Sequence, residues 1–237
     1  MNTSYYGLIG GIFLMIANIL FIHAMTITSI GNSLFTVSTI PFITSILAFF
    51  FLKEKIELKT YVLMVFAFAG IFIMFKSSIE SNDYIGNILA FGCALSFSFF
   101  ILLIRNLRNI DMMPSSLIGG ILIVIVSYAF KEGNIYISLH DILFCMLWGA
   151  LLNGFMNSVF IFSTKHLYAS EVSFFMLIEF SLGPIWVWLF LDESLRNETL
   201  LGGIIVISSL ALFSLFQIKK VRANSKLIDV NLIYYFW

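Results

Sequence analysis

Residues 1–52 read MNTSYYGLIGGIFLMIANILFIHAMTITSIGNSLFTVSTIPFITSILAFFFL, a stretch without one Lys, Arg, Asp or Glu. A helix rises about 1.5 Å per residue and a bilayer's hydrocarbon core is about 30 Å thick, so one crossing takes about 20 residues. The stretch is too long for a single crossing. The polar run Thr26-Ile27-Thr28-Ser29-Ile30-Gly31-Asn32 divides it into a helix near Tyr5–Met25 and a second near Asn32–Leu52. No basic region precedes the first apolar run, so a cleavable signal peptide is not expected.

The rest of the 237 residues has the same character, being 60% hydrophobic and only 11% charged. Soluble domains carry about a quarter charged residues. So apolar a chain cannot cover a globule with polar surface, which excludes a soluble enzyme and a disordered protein. Thirteen Lys and Arg balance thirteen Asp and Glu, leaving no basic footprint for nucleic acid. The fold class is an all-α, polytopic membrane bundle.

Six further spans follow: Thr60–Phe75, Tyr84–Ile104, Ser115–Phe130, Asp141–Thr164, Ser170–Leu191 and Thr199–Ile218. Connections are short throughout, so no soluble domain is inserted. Lys and Arg concentrate in cytoplasmic loops. With a cytoplasmic amino terminus, ten of the thirteen fall inside (Lys53, Lys55, Lys59, Arg105, Arg108, Lys165, Lys219, Lys220, Arg222, Lys226) and three outside (Lys76, Lys131, Arg196). Both termini are therefore expected in the cytoplasm.

Small residues at Gly86, Ala90, Ala94 and Ser98, and again at Gly7 and Gly11, form ladders that let membrane helices approach closely. Cys93 and Cys145 lie inside apolar runs with no Cys-x-x-Cys spacing, and read as packing residues. Metal-ligand spacing is absent, as are phosphate-loop, Gly-x-Ser-x-Gly and His-Glu-x-x-His motifs. No cofactor, metal or enzymatic activity is expected.

The sequence also repeats itself. Ile46, Phe51, Leu52, Glu54 and Thr60 match Ile185, Phe190, Leu191, Glu193 and Thr199, 139 positions later. Each set runs from the end of a span through a charged loop into the next. Helices one to three thus look like a copy of helices six to eight. The copies are five helices apart, an odd number, so they cross in opposite directions. Inverted repeats of this kind recur in secondary transporters.

At these residues the chain resembles the EamA-type repeat of the drug/metabolite transporter superfamily. The likeness rests on Ala24-Met25-Thr26-Ile27-Thr28-Ser29, Pro41, Leu52-Lys53-Glu54 and Gly70 in the first copy. In the second it rests on Gly86-Asn87-Ile88-Leu89-Ala90, Arg105, Glu179, Gly183-Pro184-Ile185-Trp186, Leu191-Asp192-Glu193 and Gly202. The resemblance divides the chain into a partial first repeat of three helices (1–78), a second repeat of five (81–218) and a cytoplasmic tail (219–237). It implies a multi-pass protein of a bacterial inner membrane that exports amino acids or related metabolites, although some relatives import. A membrane protein without transport activity is the alternative. Relatives usually have ten helices, and helix one here looks like their third. The expectation is a shortened version of a ten-helix protein, the alternative being an eight-helix chain that closes its cavity as a homodimer. The repeat also commonly has Pro directly after its intramembrane Glu; here Phe180 follows Glu179 and Pro184 comes four residues later.

Glu179 is the one Asp, Glu, Lys or Arg well inside a span, 9 residues from one end of helix seven and 12 from the other. Charge at that depth costs about 2.5–3.5 kcal/mol, so such a residue normally faces a cavity or a partner. It is a candidate substrate ligand or protonation switch, against a packing role alone. Trp186 shares its face at i+7, and helix six sets Gly149, Asn153, Asn157, Phe160 and Thr164 along one stripe. The two amides suit a polar solute, or equally interhelical hydrogen bonds. Asn18 and His23 in helix one are weaker candidates. Pro41 and Pro184 interrupt helices two and seven, equivalent members of the copies, and interrupted helices at matched positions point to a transporter's binding site. Glu54 and Glu193, at membrane boundaries, read as structural caps.

Overall fold

The computed structural model describes residues 2–53, 57–80, 84–107, 109–131, 138–166 and 197–235, together with Glu179, Leu182, Gly183, Trp186, Val187, Leu189 and Phe190. Among the described residues the ordered elements are all helical. They are α1 (Asn2–Ile27), α2 (Ile30–Val37), α3 (Ile40–Leu52), α4 (Leu58–Glu80), α5 (Tyr84–Asn106) and α6 (Pro114–Ala129), then α7 (Leu139–Leu147), a π-helical segment (Trp148–Phe155), α8 (Met156–His166) and α9 (Asn197–Tyr235). Six are long and apolar enough to cross a membrane, counting α2–α3 and α7–α8 as one span each, and α6 is a shorter apolar helix. These match the expected spans apart from helix seven, most of which lies outside the described residues. Two helices outrun their apolar spans. Helix α4 continues past Lys76 to Glu80, and α9 runs on through the basic segment after Phe216 as far as Tyr235.

Helix two is broken near its middle. Ser29 caps α2, its Oγ accepting from the Asn32 backbone N–H at 3.1 Å. The helix stops at Val37 and restarts at Ile40, with Pro41 in the first turn of α3. Proline has no N–H, so a regular helix here would leave the Val37 carbonyl without its i+4 donor. Hydroxyls on both sides of the break bond neighbouring carbonyls. Thr36 donates to the Asn32 carbonyl (2.8 Å), Ser38 to Phe35 (2.6 Å) and Thr39 to Thr36 (2.7 Å). From α5, the buried Ser98 Oγ lies 3.2 Å from the Ile40 carbonyl and 2.7 Å from that of Ala94. Helix α3 ends on Lys53 in the left-handed region (φ 54°), its N–H reaching back to the Ala48 carbonyl.

Residue contacts fix the helix directions. Thr28 sits against Gly86, Leu20 against Gly92 and Phe13 against Phe99, so α1 and α5 are antiparallel. The small-residue ladder Gly86, Ala90, Ala94 and Ser98 is buried along its length. Gly7 and Gly11 meet Ile118 and Gly119, so α1 and α6 run together. Lys59 lies over the Phe216 ring and Gly70 against Gly202, making α4 and α9 antiparallel. Asn32–Thr199 and Phe42–Phe213 contacts align α2–α3 with α9 in one direction. In helix six the chain passes from Asn153, beside Asn18, to Ile161, which packs with Leu14, Phe100 and Met112, so it opposes α1. Helices one and six are thus antiparallel, and so are helices three and eight. These are the pairs related by the sequence repeat, and their opposed directions agree with the inverted arrangement expected of it.

Lipid tails are as apolar as leucine, so close packing holds such helices together. A Cβ on Gly202 would lie 2.5 Å from the Gly70 carbonyl oxygen, and one on Gly70 would lie 2.7 Å from that of Gly202. Backbone at both sides leaves nothing to move. Gly202→Val is expected to cost about 1–3 kcal/mol by overpacking, read as a lower thermal midpoint of the purified protein. Gly120→Val, where nothing lies within 4 Å of the added carbon, should change stability by at most about 0.5 kcal/mol.

Candidate substrate site

Three of the sequence candidates meet. Asn18 on α1 donates from Nδ2 to the Leu14 carbonyl at 2.8 Å, which turns its amide back along its own helix. Its Oδ1 accepts from Asn153 Nδ2 at 3.4 Å. Asn153 Oδ1 accepts in turn from Asn157 Nδ2 at 2.8 Å. The result is a chain of amides bridging helix one and helix six. Each amide offers two N–H donors and one oxygen. The chain itself uses one N–H of each, and the oxygens of Asn18 and Asn153.

The two outer members hold equivalent places. Asn157 lies 139 positions after Asn18, the offset that relates the two copies, and the same offset pairs Gly10 with Gly149 and Phe21 with Phe160. The amide chain therefore joins two helices that this offset relates. Phe160, on the same stripe, sets its ring 5.5 Å from that of Phe97. Thr164, on the same stripe, turns its hydroxyl back to the Phe160 carbonyl at 2.7 Å.

Sequence reading missed how Asn153 is held. It sits in the π-helical segment Trp148–Phe155, within the span Leu139–Thr164. A π-helix bonds i to i+5, is rare, and is frequent at functional sites. The available signal was the spacing of Gly149 and Gly154. A Cβ on Gly154 would lie 3.3 Å from the Gly149 carbonyl oxygen, and Gly149 itself borders open space. The corresponding stretch of helix one lies within the regular α1.

Among the described contacts the other candidates do not join this chain. Glu179 is helical and exposed. Gly183 packs against Leu34 of α2, where an added Cβ would lie 3.0 Å from Leu34 Cδ1. Trp186 is 53% exposed and stacks on Phe190 at 5.4 Å. Among the described contacts neither Glu179 nor Trp186 joins the amides. Pro184, Glu54 and Glu193 lie outside the described residues. His23 Nδ1 pairs with the Ile19 carbonyl of its own helix at 2.9 Å, at an exposed position. No three His, Cys, Asp or Glu among the described residues could hold a metal ion. A polar link absent from the sequence reading is Thr199 Oγ1 donating to Asn32 Oδ1 at 2.7 Å, buried, which ties the first copy to the second.

The described helices define a polytopic membrane bundle, and comparison with known proteins adds a family match over its first third. Residues 2–76 match the EamA-like transporter family. The match supports membership of the drug/metabolite transporter superfamily, whose members are small-molecule transporters and not enzymes. A solved structure titled "Crystal structure of protein" superposes with a TM-score of 0.62, covering 91% of this chain and 77% of that one at 12% identity. That likeness is one of fold alone. No curated protein matches the chain.

The polar links differ in burial, and their removal should differ in cost. Asn153→Leu breaks an exposed interhelical bond, and such bonds average about 0.6 kcal/mol in membrane bundles. Thr199→Val deprives a buried amide oxygen of its donor, at about 1–3 kcal/mol. Thermal unfolding in detergent should therefore show a clear drop for Thr199→Val and a slight one for Asn153→Leu.

Proposed function

We propose that this chain is a secondary transporter that exports a small polar metabolite, an amino acid or related compound, by alternating access of its two halves. The observation that carries the reading is the Asn18–Asn153–Asn157 chain, set between equivalent helices of the inverted repeats. Transporters built this way bind solute at the repeat interface and rock one repeat against the other around it. The amides give a polar solute donors and acceptors within an apolar wall. Glu179 serves as the ligand for a solute amine or as the site of a coupled proton, with Trp186 as an aromatic wall. Pro41 follows the break in helix two, and Pro184 lies in helix seven, the equivalent member of the second copy, four residues past the position that matches Pro41.

Asymmetry between the copies supports the same reading. Helix six carries the π-helical segment while its counterpart in α1 is regular, so the two halves hold different conformations of one design. Exchange of those conformations would turn the site from one face of the membrane to the other. Both termini lie in the cytoplasm on this reading, as the distribution of Lys and Arg implies.

The test is counterflow in proteoliposomes loaded with amino acids, nucleosides and amines. At least one solute should exchange, and Glu179→Gln should lower its exchange at least tenfold while the melting temperature stays within a few degrees. Absence of flux for every solute from folded protein would exclude transport. A Glu179→Gln protein that mainly unfolds would assign that carboxyl to packing.

A further inference from the structure

A groove of about 590 Å³ runs between α6 and helix six. On α6 it is lined by Leu117, Gly120, Ile121, Val124 and Ile125, with Met113 and Ser116 at one end; Gly149, Ala150, Gly154 and Ser158 form the opposite wall. Among the described residues no Asp, Glu, Lys, Arg or His lines it. Ser158 is turned back to the Gly154 carbonyl at 2.9 Å, so its hydroxyl is engaged within its own helix. The groove has its width because side chains are missing: a Cβ on Gly120 or Gly149 would meet nothing within 4 Å.

Two observations say what fills it. One wall belongs to a helix long and apolar enough to cross a membrane and the other to the shorter apolar helix α6, and Leu117 and Val124 are 71% and 68% exposed, so the groove presents an open apolar side to hydrocarbon. The lining stripe of α6 also continues into a headgroup anchor. Tyr128 lies four residues after Val124 and three after Ile125, on the same face. Its ring, 63% exposed, carries the Lys131 ammonium 4.5 Å from its centroid. An apolar slot ending in an interfacial Tyr and a cation complements a phospholipid, with its acyl chain in the slot and its phosphate on the ammonium.

We propose that this groove is a specific phospholipid site, holding one acyl chain against Gly120 and Gly149 with its phosphate bound by Lys131. The site is independent of the transport reading. Its ligand is a membrane lipid, and its test requires no flux.

The experiment uses the full chain in phosphatidylcholine vesicles containing phosphatidylglycerol with a photoreactive diazirine in one acyl chain. Peptides spanning 113–131 and 146–162 should carry at least five times the adducts, per exposed apolar residue, of those from the lipid-facing side of α4 (Val65, Phe66, Phe72), which serve as the internal reference. Gly120→Phe, which fills the slot, should cut groove labelling at least fivefold and leave the α4 adducts unchanged. Should that variant fail to fold, Leu117→Trp makes the same test from an exposed position. Lys131→Glu should at least halve labelling by phosphatidylglycerol but not by a diazirine diacylglycerol, which has no phosphate. Equal labelling of groove and α4, labelling that survives filling of the slot, or indifference to Lys131→Glu would each overturn the site.

Discussion

At membrane depth no water is present to bond a stray carbonyl, so each must find a donor within the protein. The break in helix two shows what this demands. Pro41 removes one donor, and within ten residues Thr36, Ser38, Thr39 and Ser45 return their hydroxyls to backbone carbonyls. Helix α5 comes close enough to add Ser98 because its facing residues are small. An interrupted helix is therefore possible here only because it is buried among neighbours. Phe42, just after the break, is fully buried, and Ile43 beside it is buried too.

The same economy shapes the contact between the copies. Apolar surface drives little association in lipid, so the halves rely on backbone approach and on a few polar links. Gly70 and Gly202 supply the first, Thr199 with Asn32 and Asn18 with Asn153 the second. The buried Thr199 link suits a fixed joint. The exposed amide chain, resting on a π-helical segment, suits a contact that must be remade when a solute arrives. On the proposed reading, stability and function occupy different levels of this contact.

Much of this was legible from residues alone. Spans followed from runs without charge, and the inverted repeat from Leu-x-Glu boundaries 139 positions apart. Pro41 marked the break, since a missing N–H is a local fact. The joining of Asn18 to Asn153 was not legible, because both residues appear as single amides on separate helices and only packing brings them together. Nor was the π-helical segment. Its glycine spacing is a weak signal, and one extra residue in a turn leaves the hydropathy pattern almost unchanged. Thr199 entered the reading as a repeat identity, and its hydrogen bond emerged only when α9 lay beside α2.

The central claim is that one polar site between the inverted copies opens to each face of the membrane in turn. With Cys93 and Cys145 replaced by Ala, single cysteines at the equivalent positions, Asn18→Cys and Asn157→Cys, can be challenged with a membrane-impermeant thiol reagent from either side of oriented vesicles. Alternating access predicts that both positions react from both sides, and that a transported solute raises labelling from one side while lowering it from the other. Labelling of both positions from a single face, unchanged by any solute, would contradict it.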